Sequence, residues 1–288
     1  LLGYSRQSYY QGVKFTQRKA YEGEVVIQEV LRHRKLQKRL GTRKLHGEMT
    51  DFIALHGFQI GRDAMFDLLR EKRLLINKRT RSGPKTTFSK HRFKKYPNII
   101  RGFIPIGPNQ LWVSDITYIQ LSNGFAYLSL ITDAYSHKIV GYCLCKSLSS
   151  QGPLKALKMA LLNNPTRLDL IHHSDRGVQY CCDEYVKLLV ENNVKISMTE
   201  NGDPLENAVA ERLNGILKHE LLLKPMRTFK SAQDQVSIGC STYNHLRPHN
   251  SINNLKPAQA HMQSGHIKRK WKNYYKSNKG KEVIMTNV

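Results

Sequence analysis

From residue 110 onward the apolar residues change their period, and that change restricts the available folds more than any other feature. Strand-like runs at 111–119, 125–132 and 138–145 are separated only by Ser122-Asn123-Gly124 and Tyr135-Ser136-His137. Gaps this short join antiparallel neighbours, because a parallel crossover needs roughly a dozen residues or more. A helix is expected at 153–163, ended by Asn163-Asn164-Pro165. After it come a strand at 168–173, a helix over about 178–191, a strand at 194–199 and a long helix from about Pro204 to Leu223. A meander followed by strand–helix alternation gives an α/β fold, a mixed five-stranded sheet with flanking helices.

Three acids fall on these elements in a suggestive way. Asp115 lies inside the apolar run Leu111-Trp112-Val113-Ser114-Asp115-Ile116-Thr117-Tyr118-Ile119, and Asp175 follows the run ending His172-His173-Ser174. Glu211 sits 36 positions further on, within the long helix. A carboxylate in an apolar strand is costly to bury unless paired or bound to metal. Three converging carboxylates make a hard, all-oxygen site for Mg²⁺, with Mn²⁺ a ready substitute. Two ions about 4 Å apart, sharing Asp115, would activate a nucleophile and stabilise the leaving oxygen in phosphodiester cutting and joining.

At about 100° per residue, Asn207, Glu211, Asn214 and Lys218 share one helix face, opposite Leu205, Val209, Leu213, Ile216 and Leu217. Lys218 is then placed to meet a phosphate. Taken singly, Glu211 and Lys218 read as solvated surface residues; their coincidence with the two aspartates favours a site. Arg176 either contacts DNA or neutralises Asp175, and both readings stand. Gly177 is expected to permit the sharp turn after Asp175. His172 and His173 should straddle the sheet, one inside and one out, as packing rather than catalytic residues. Asp133, Asp183, Glu184, Asp203 and Glu206 have simpler roles as turn, helix and cap residues.

Charge points to a polyanionic partner. Of the formal +24, residues 1–100 hold +15, residues 101–230 only +2, and residues 231–288 hold +7. Basic flanks around a near-neutral centre suit a protein that grips nucleic acid on either side of a catalytic core. Gln28 to Leu40 reads as a basic helix. Thr42–His56 and Arg62–Leu75 read as a helix–turn–helix about Gly57-Phe58-Gln59-Ile60-Gly61, with Ala64, Met65, Leu68, Leu69 and Leu75 inward and Arg62, Arg70, Lys72 and Arg73 outward. A small helical bundle of another kind would show the same pattern.

Four segments are therefore expected: a basic helical DNA-binding region at 1–76, a basic linker at 77–104, a catalytic core at 105–230, and a helix with a basic tail at 231–288. That tail carries a helix near 230–246 and the run Lys268-Arg269-Lys270-Trp271-Lys272. Arg43, Lys44 and Arg62 join Asn207, Arg176 and Lys218 as expected DNA contacts. The five cysteines are odd in number and read as reduced core residues. A zinc site from His172-His173 and Cys181-Cys182 is disfavoured, because adjacent strand residues point to opposite faces. No apolar run approaches the ~20 residues of a membrane span and no signal-peptide pattern opens the chain, so neither a membrane nor a small-molecule substrate is expected.

The stretch from Trp112 to Pro257 resembles the integrase core of bacterial insertion-sequence transposases of family three, itself similar to retroviral integrase. The resemblance is carried by Trp112-Val113-Ser114-Asp115-Ile116-Thr117-Tyr118-Ile119 and by Ile171-His172-His173-Ser174-Asp175-Arg176-Gly177-Val178-Gln179-Tyr180. It continues through Ser197-Met198-Thr199, Asn201-Gly202-Asp203-Pro204, Glu206-Asn207-Ala208, Glu211-Arg212-Leu213-Asn214, Tyr243-Asn244 and Arg247-Pro248-His249. Gly3-Tyr4-Ser5-Arg6-Gln7 and Gly41-Thr42-Arg43-Lys44-Leu45 resemble the family's helical front.

This resemblance implies a ribonuclease-H-like fold and an acidic triad falling on Asp115, Asp175 and Glu211, with Lys218 as basic companion. It implies cleavage at inverted-repeat ends of double-stranded DNA and strand transfer through a circular intermediate, by a homo-oligomer on DNA in the bacterial cytoplasm, at the nucleoid. It also implies the downstream half of a frameshift fusion. His137 stands where the family commonly has Arg, and Leu205 where an aromatic is frequent. A ribonuclease H, a junction nuclease or a non-catalytic DNA-binding regulator would be the competing readings.

Overall fold

The computed structural model describes residues 5–76, 92–165, 169–200, 208–222 and 226–268. Its centre is the expected five-stranded sheet, in the order β3-β2-β1-β4-β5. β1 (Leu111–Leu121), β2 (Gly124–Asp133) and β3 (Ile139–Cys145) form the antiparallel meander. β4 (Ile171–Ser174) and β5 (Lys195–Met198) run parallel to β1 and to each other. This is the ribonuclease-H-like arrangement. Gly124 closes the first hairpin at φ +100°, a backbone that favours glycine. Asp133 closes the second from full burial, accepting hydrogen bonds from the Asn109 and Ser136 amides and the Ser136 hydroxyl.

Both sheet faces are covered. On one side α5 (Gln151–Asn163), α6 (Val178–Cys181) and α7 (Asp183–Glu191) bury Trp112, Ile131, Leu157, Tyr180 and Tyr185. On the other lie α8 (Ala208–Ile216), a π-helical turn (Leu217–Leu221) and α9 (Phe229–His245). Leu213, Leu217, Val236, Cys240 and Tyr243 pack there against Ile119, Leu128 and Leu130. The core therefore continues past residue 230, since α9 shares one apolar cluster with the meander.

The front is a separate small bundle of α1 (Arg6–Leu36), α2 (Thr42–Glu48), α3 (Thr50–Leu55) and α4 (Arg62–Glu71), closed around Val26, Val30, Leu45, Met49, Met65 and Leu69. α1 reaches more than five turns further toward the N-terminus than expected. Residues 6–22 are almost wholly exposed, so apolar periodicity gave no signal there. The single helix expected over Thr42–His56 is broken at Met49 (φ −100°, ψ 3°), and Arg73 at φ +55° ends the one expected to reach Leu75. Ala64, expected inward, is exposed. The helix expected over 178–191 is likewise broken at Cys182, whose extended backbone (ψ 148°) separates α6 from α7.

Ties run between the front and the core: Gln37 donates its amide to the Leu246 carbonyl at 3.1 Å, and Lys256 pairs with Glu48 at 3.1 Å. Within the linker, residues 92–103 are described. Pro97 accepts from the Met198 amide, and Ile99 donates to the Ser197 hydroxyl at 3.1 Å, so this strap covers the edge of β5. Residues 77–91 and the basic tail from Arg269 lie outside the described residues, as do Asn207, Leu205, Asp203 and Glu206.

Candidate active site

Register explains how two of the acids come together. β1 and β4 pair as Leu111↔Ile171, Trp112↔His172 and Val113↔His173. Asp115 and Asp175 each stand two residues beyond that last pair, so alternation puts both on the same side, Asp175 just past the carboxyl end of β4 and Asp115 within β1 where its parallel pairing with β4 ends. Open α/β sheets place their ligands at such ends. The side is the one that α8 covers, where Val113 and Ile171 pack with Ala210.

Asp115 is held on both oxygens. Oδ1 accepts from the Ile116 amide at 2.8 Å, and Oδ2 accepts from the Asn214 side-chain amide at 2.7 Å. Burial, then the charge of Asp175 and more weakly that of Glu211, raise its pKa to about 7; the two hydrogen bonds act in the opposite direction. Asp175 is fixed by its own turn, Oδ1 accepting from the Gly177 amide at 2.9 Å. Glycine at 177 matters for space rather than for conformation: its φ is an ordinary −66°, but an added Cβ would meet Asp175 Oδ1 at 2.9 Å and push that carboxylate aside.

Glu211 is exposed on α8. Lys218, in the π-turn, is lowered in pKa by burial and pushed back up by Asp115, which places its ammonium within the field of that carboxylate. The π-turn breaks the uniform 100° bookkeeping at Leu217, yet Lys218 still shares surroundings with Asp115. Asn214, noted in the sequence only for its helix face, is the buried residue that orients Asp115; its own Oδ1 is buried without a hydrogen-bond partner.

Among the described residues, no three His, Cys, Asp or Glu side chains lie close enough to form a ligand set as they stand. The chemistry of the donors nonetheless fits a divalent cation. The candidate donors are carboxylate oxygens, and a carboxyl whose pKa is raised by desolvation and by its acidic neighbours is relieved when a cation arrives.

Other expected residues fall elsewhere. Arg176 donates Nη1 to the Glu200 carbonyl at 3.1 Å, beyond β5. Arg43 and Arg62 face outward on the front bundle, Arg62 paired with Asp63 at 2.9 Å. Lys44 turns inward beside Glu220 and Arg247. The expectation of one histidine inside and one out is corrected: both faces of the sheet are covered, so His172 and His173 are both fully buried. His172 bonds Ser114 Oγ (2.6 Å) and Tyr185 OH (2.9 Å), and burial lowers its pKa to about 3. That Ser–His–Tyr chain has the atoms of a nucleophilic pair but no access for a substrate.

Integrase core domain families match the chain over residues 106–204 and 192–257. A 31 kDa insertion element IS600 protein of Shigella sonnei is 33% identical over 265 residues, covering 90% of this chain and 95% of that protein. The InsF transposase for insertion sequence IS3A of Escherichia coli (strain K12) is 29% identical over 215 residues, 73% of this chain and 74% of the relative. A solved catalytic core domain of HTLV-2 integrase, in complex with magnesium, matches at TM-score 0.45 and 19% identity, over 55% of this chain and 99% of that one. With its integrase core and a relative matched almost end to end, the chain belongs to the bacterial insertion-sequence transposases of family three.

Proposed function

We propose that the protein cuts the inverted-repeat ends of its element and joins the freed 3′-OH strand to DNA, with Asp115, Asp175 and Glu211 as the catalytic carboxylates. The observation that carries this reading is Asp115: a half-buried acid on a sheet strand, within the fields of Asp175 and Glu211, with its pKa raised to about 7. Bound by these oxygens, two Mg²⁺ ions would supply Lewis acidity and an acidified water. The chain's own residues do the rest. Asn214 and the Ile116 amide fix the lone pairs of Asp115. The Gly177 amide fixes Asp175. Lys218 would oppose the charge of a scissile phosphate, and the upward pull of Asp115 on its pKa, with that of Glu211 on the pKa of Asp115, supports one shared site on the α8–π-turn segment.

The segments at 1–76, 77–104, 105–230 and 231–288 then act as DNA-binding front, basic strap, catalytic core, and a C-terminal helix that packs on that core followed by a basic tail. Arg62, Arg43, Arg176 and Asn207 are proposed to add DNA contacts. Work on two ends at once calls for a homo-oligomer on DNA, acting in the bacterial cytoplasm at the nucleoid. The test is incubation of labelled element ends with Mg²⁺. Wild type should produce nicks exposing a 3′-OH, while Asp115→Asn, Asp175→Asn and Glu211→Gln each lose them and keep binding DNA. Normal nicking by any of the three refutes the assignment, and preferred cutting of RNA–DNA hybrids would favour a ribonuclease H.

A further inference from the structure

Between the front bundle and the core lies a cleft of about 580 Å³. Its front wall carries Arg39, Arg43 and Lys44, and its core wall carries Glu220, Arg247 and Asn250, with Phe66 among the apolar residues at one side. Arg247 is already satisfied: buried, it grips both Glu220 oxygens at 2.8–2.9 Å. The one acid lining the cleft is thus committed to one cation. No other acid lines the cleft to face the front wall, and the Lys44 ammonium forms no ion pair or hydrogen bond among the described residues. A half-buried cation without a counter-charge is costly, and a cleft with an excess of one sign of charge concentrates an anion.

We infer that this cleft receives a phosphodiester of the DNA backbone, its phosphate on Lys44 and Arg43 and its deoxyribose against Phe66. The inference rests on the reading of the chain as a DNA transposase and adds a phosphate site at the junction of front and core. The state of Lys44 agrees with it. Burial, then Arg247 and Arg212, lower its pKa to about 7 against the opposing pull of Glu220, and an arriving phosphate would restore its charge. The site also has a mechanical consequence. Glu220 belongs to the π-turn that carries Lys218, so DNA seated here lies against the segment that completes the proposed active site.

The experiment measures binding of the full chain to a labelled duplex carrying the element's end, across a series of KCl concentrations. Each phosphate contact contributes a log–log salt slope of about 0.9. Lys44→Gln should lower the slope by about that amount and weaken binding several-fold, Lys44→Arg should restore it, and Lys187→Gln on exposed α7 should change nothing. Arg43→Gln, at the exposed rim, gives the same reading should Lys44→Gln fail to fold. An unchanged slope in these variants overturns the proposal. Inorganic phosphate, compared with chloride at equal ionic strength, separates the two sources of anion. Competition with the duplex at the Lys44 site supports the proposal. Stabilisation of wild type that depends on Lys44 but leaves duplex affinity untouched makes the cleft a free-anion site and overturns it. Wild type that neither binds nor nicks the duplex would sink the transposase reading itself, whereas normal nicking with an unaltered slope would sink the cleft alone.

Discussion

At the scale of residues, the site is a problem of charge held where water is scarce. The folded-state pKa of Asp115, about 7, lies above its ordinary value of 3.8. Between those values the folded chain keeps a proton that the unfolded chain has released, so stability falls as pH rises through that window. Asp115→Asn removes the penalty and keeps an oxygen for the Asn214 amide. Without divalent metal at pH 8, the variant should therefore be more stable than wild type by up to about 4 kcal/mol, with the difference vanishing near pH 4. Urea melts at the two pH values check this, and a variant no more stable at pH 8 would mean that Asp115 is not desolvated as described. Asp115 stood out in the sequence because burying a carboxylate in an apolar strand costs too much unless a partner or a cation offsets it, whereas Glu211, exposed on its helix, carries no such signal. What put Asp115 and Asp175 side by side was the β1–β4 register, which no local pattern encodes. Asn214 stood on the right helix face, but a hydrogen bond across 99 residues leaves no trace in composition.

At the scale of elements, the sheet was readable and the helix ends were not. Strand period and short turns gave the meander almost to the residue, since one-residue slips would flip whole faces. Helix lengths failed where apolar periodicity was absent, as in residues 6–22, or where a helix breaks without Gly or Pro, as at Met49 and Cys182. The π-turn at Leu217–Leu221 belongs to the same class, because its extra residue per turn follows from tertiary packing. Among the described glycines, the closest approach to another element is where α5 crosses β3. A methyl group on Gly141 would come within 2.1 Å of the Ala156 carbonyl oxygen and 2.9 Å of Ala160 Cβ. Gly141→Ala should consequently lift α5 off the sheet and cost roughly 3 kcal/mol or more, which denaturant melts would read directly. Melting equal to wild type would show that α5 does not pack as tightly as described.

At the scale of the whole molecule, charge is partitioned as the proposed chemistry requires. The basic front and tail carry most of the +24, while the core stays near neutral around its acids. A core as basic as the flanks would compete with cations for the carboxylates, and flanks as neutral as the core would not hold DNA. The ties through Gln37 and Lys256 set the front against the core, so DNA gripped by one, as proposed, would be presented to the other. The most direct measurement of the central claim is the number of Mn²⁺ ions held by the protein on its DNA end, counted by electron paramagnetic resonance. The account predicts two ions for wild type, consistent with a two-metal site, and loss of bound Mn²⁺ in Asp115→Asn with DNA affinity retained. Equal Mn²⁺ binding by wild type and by Asp115→Asn would contradict it.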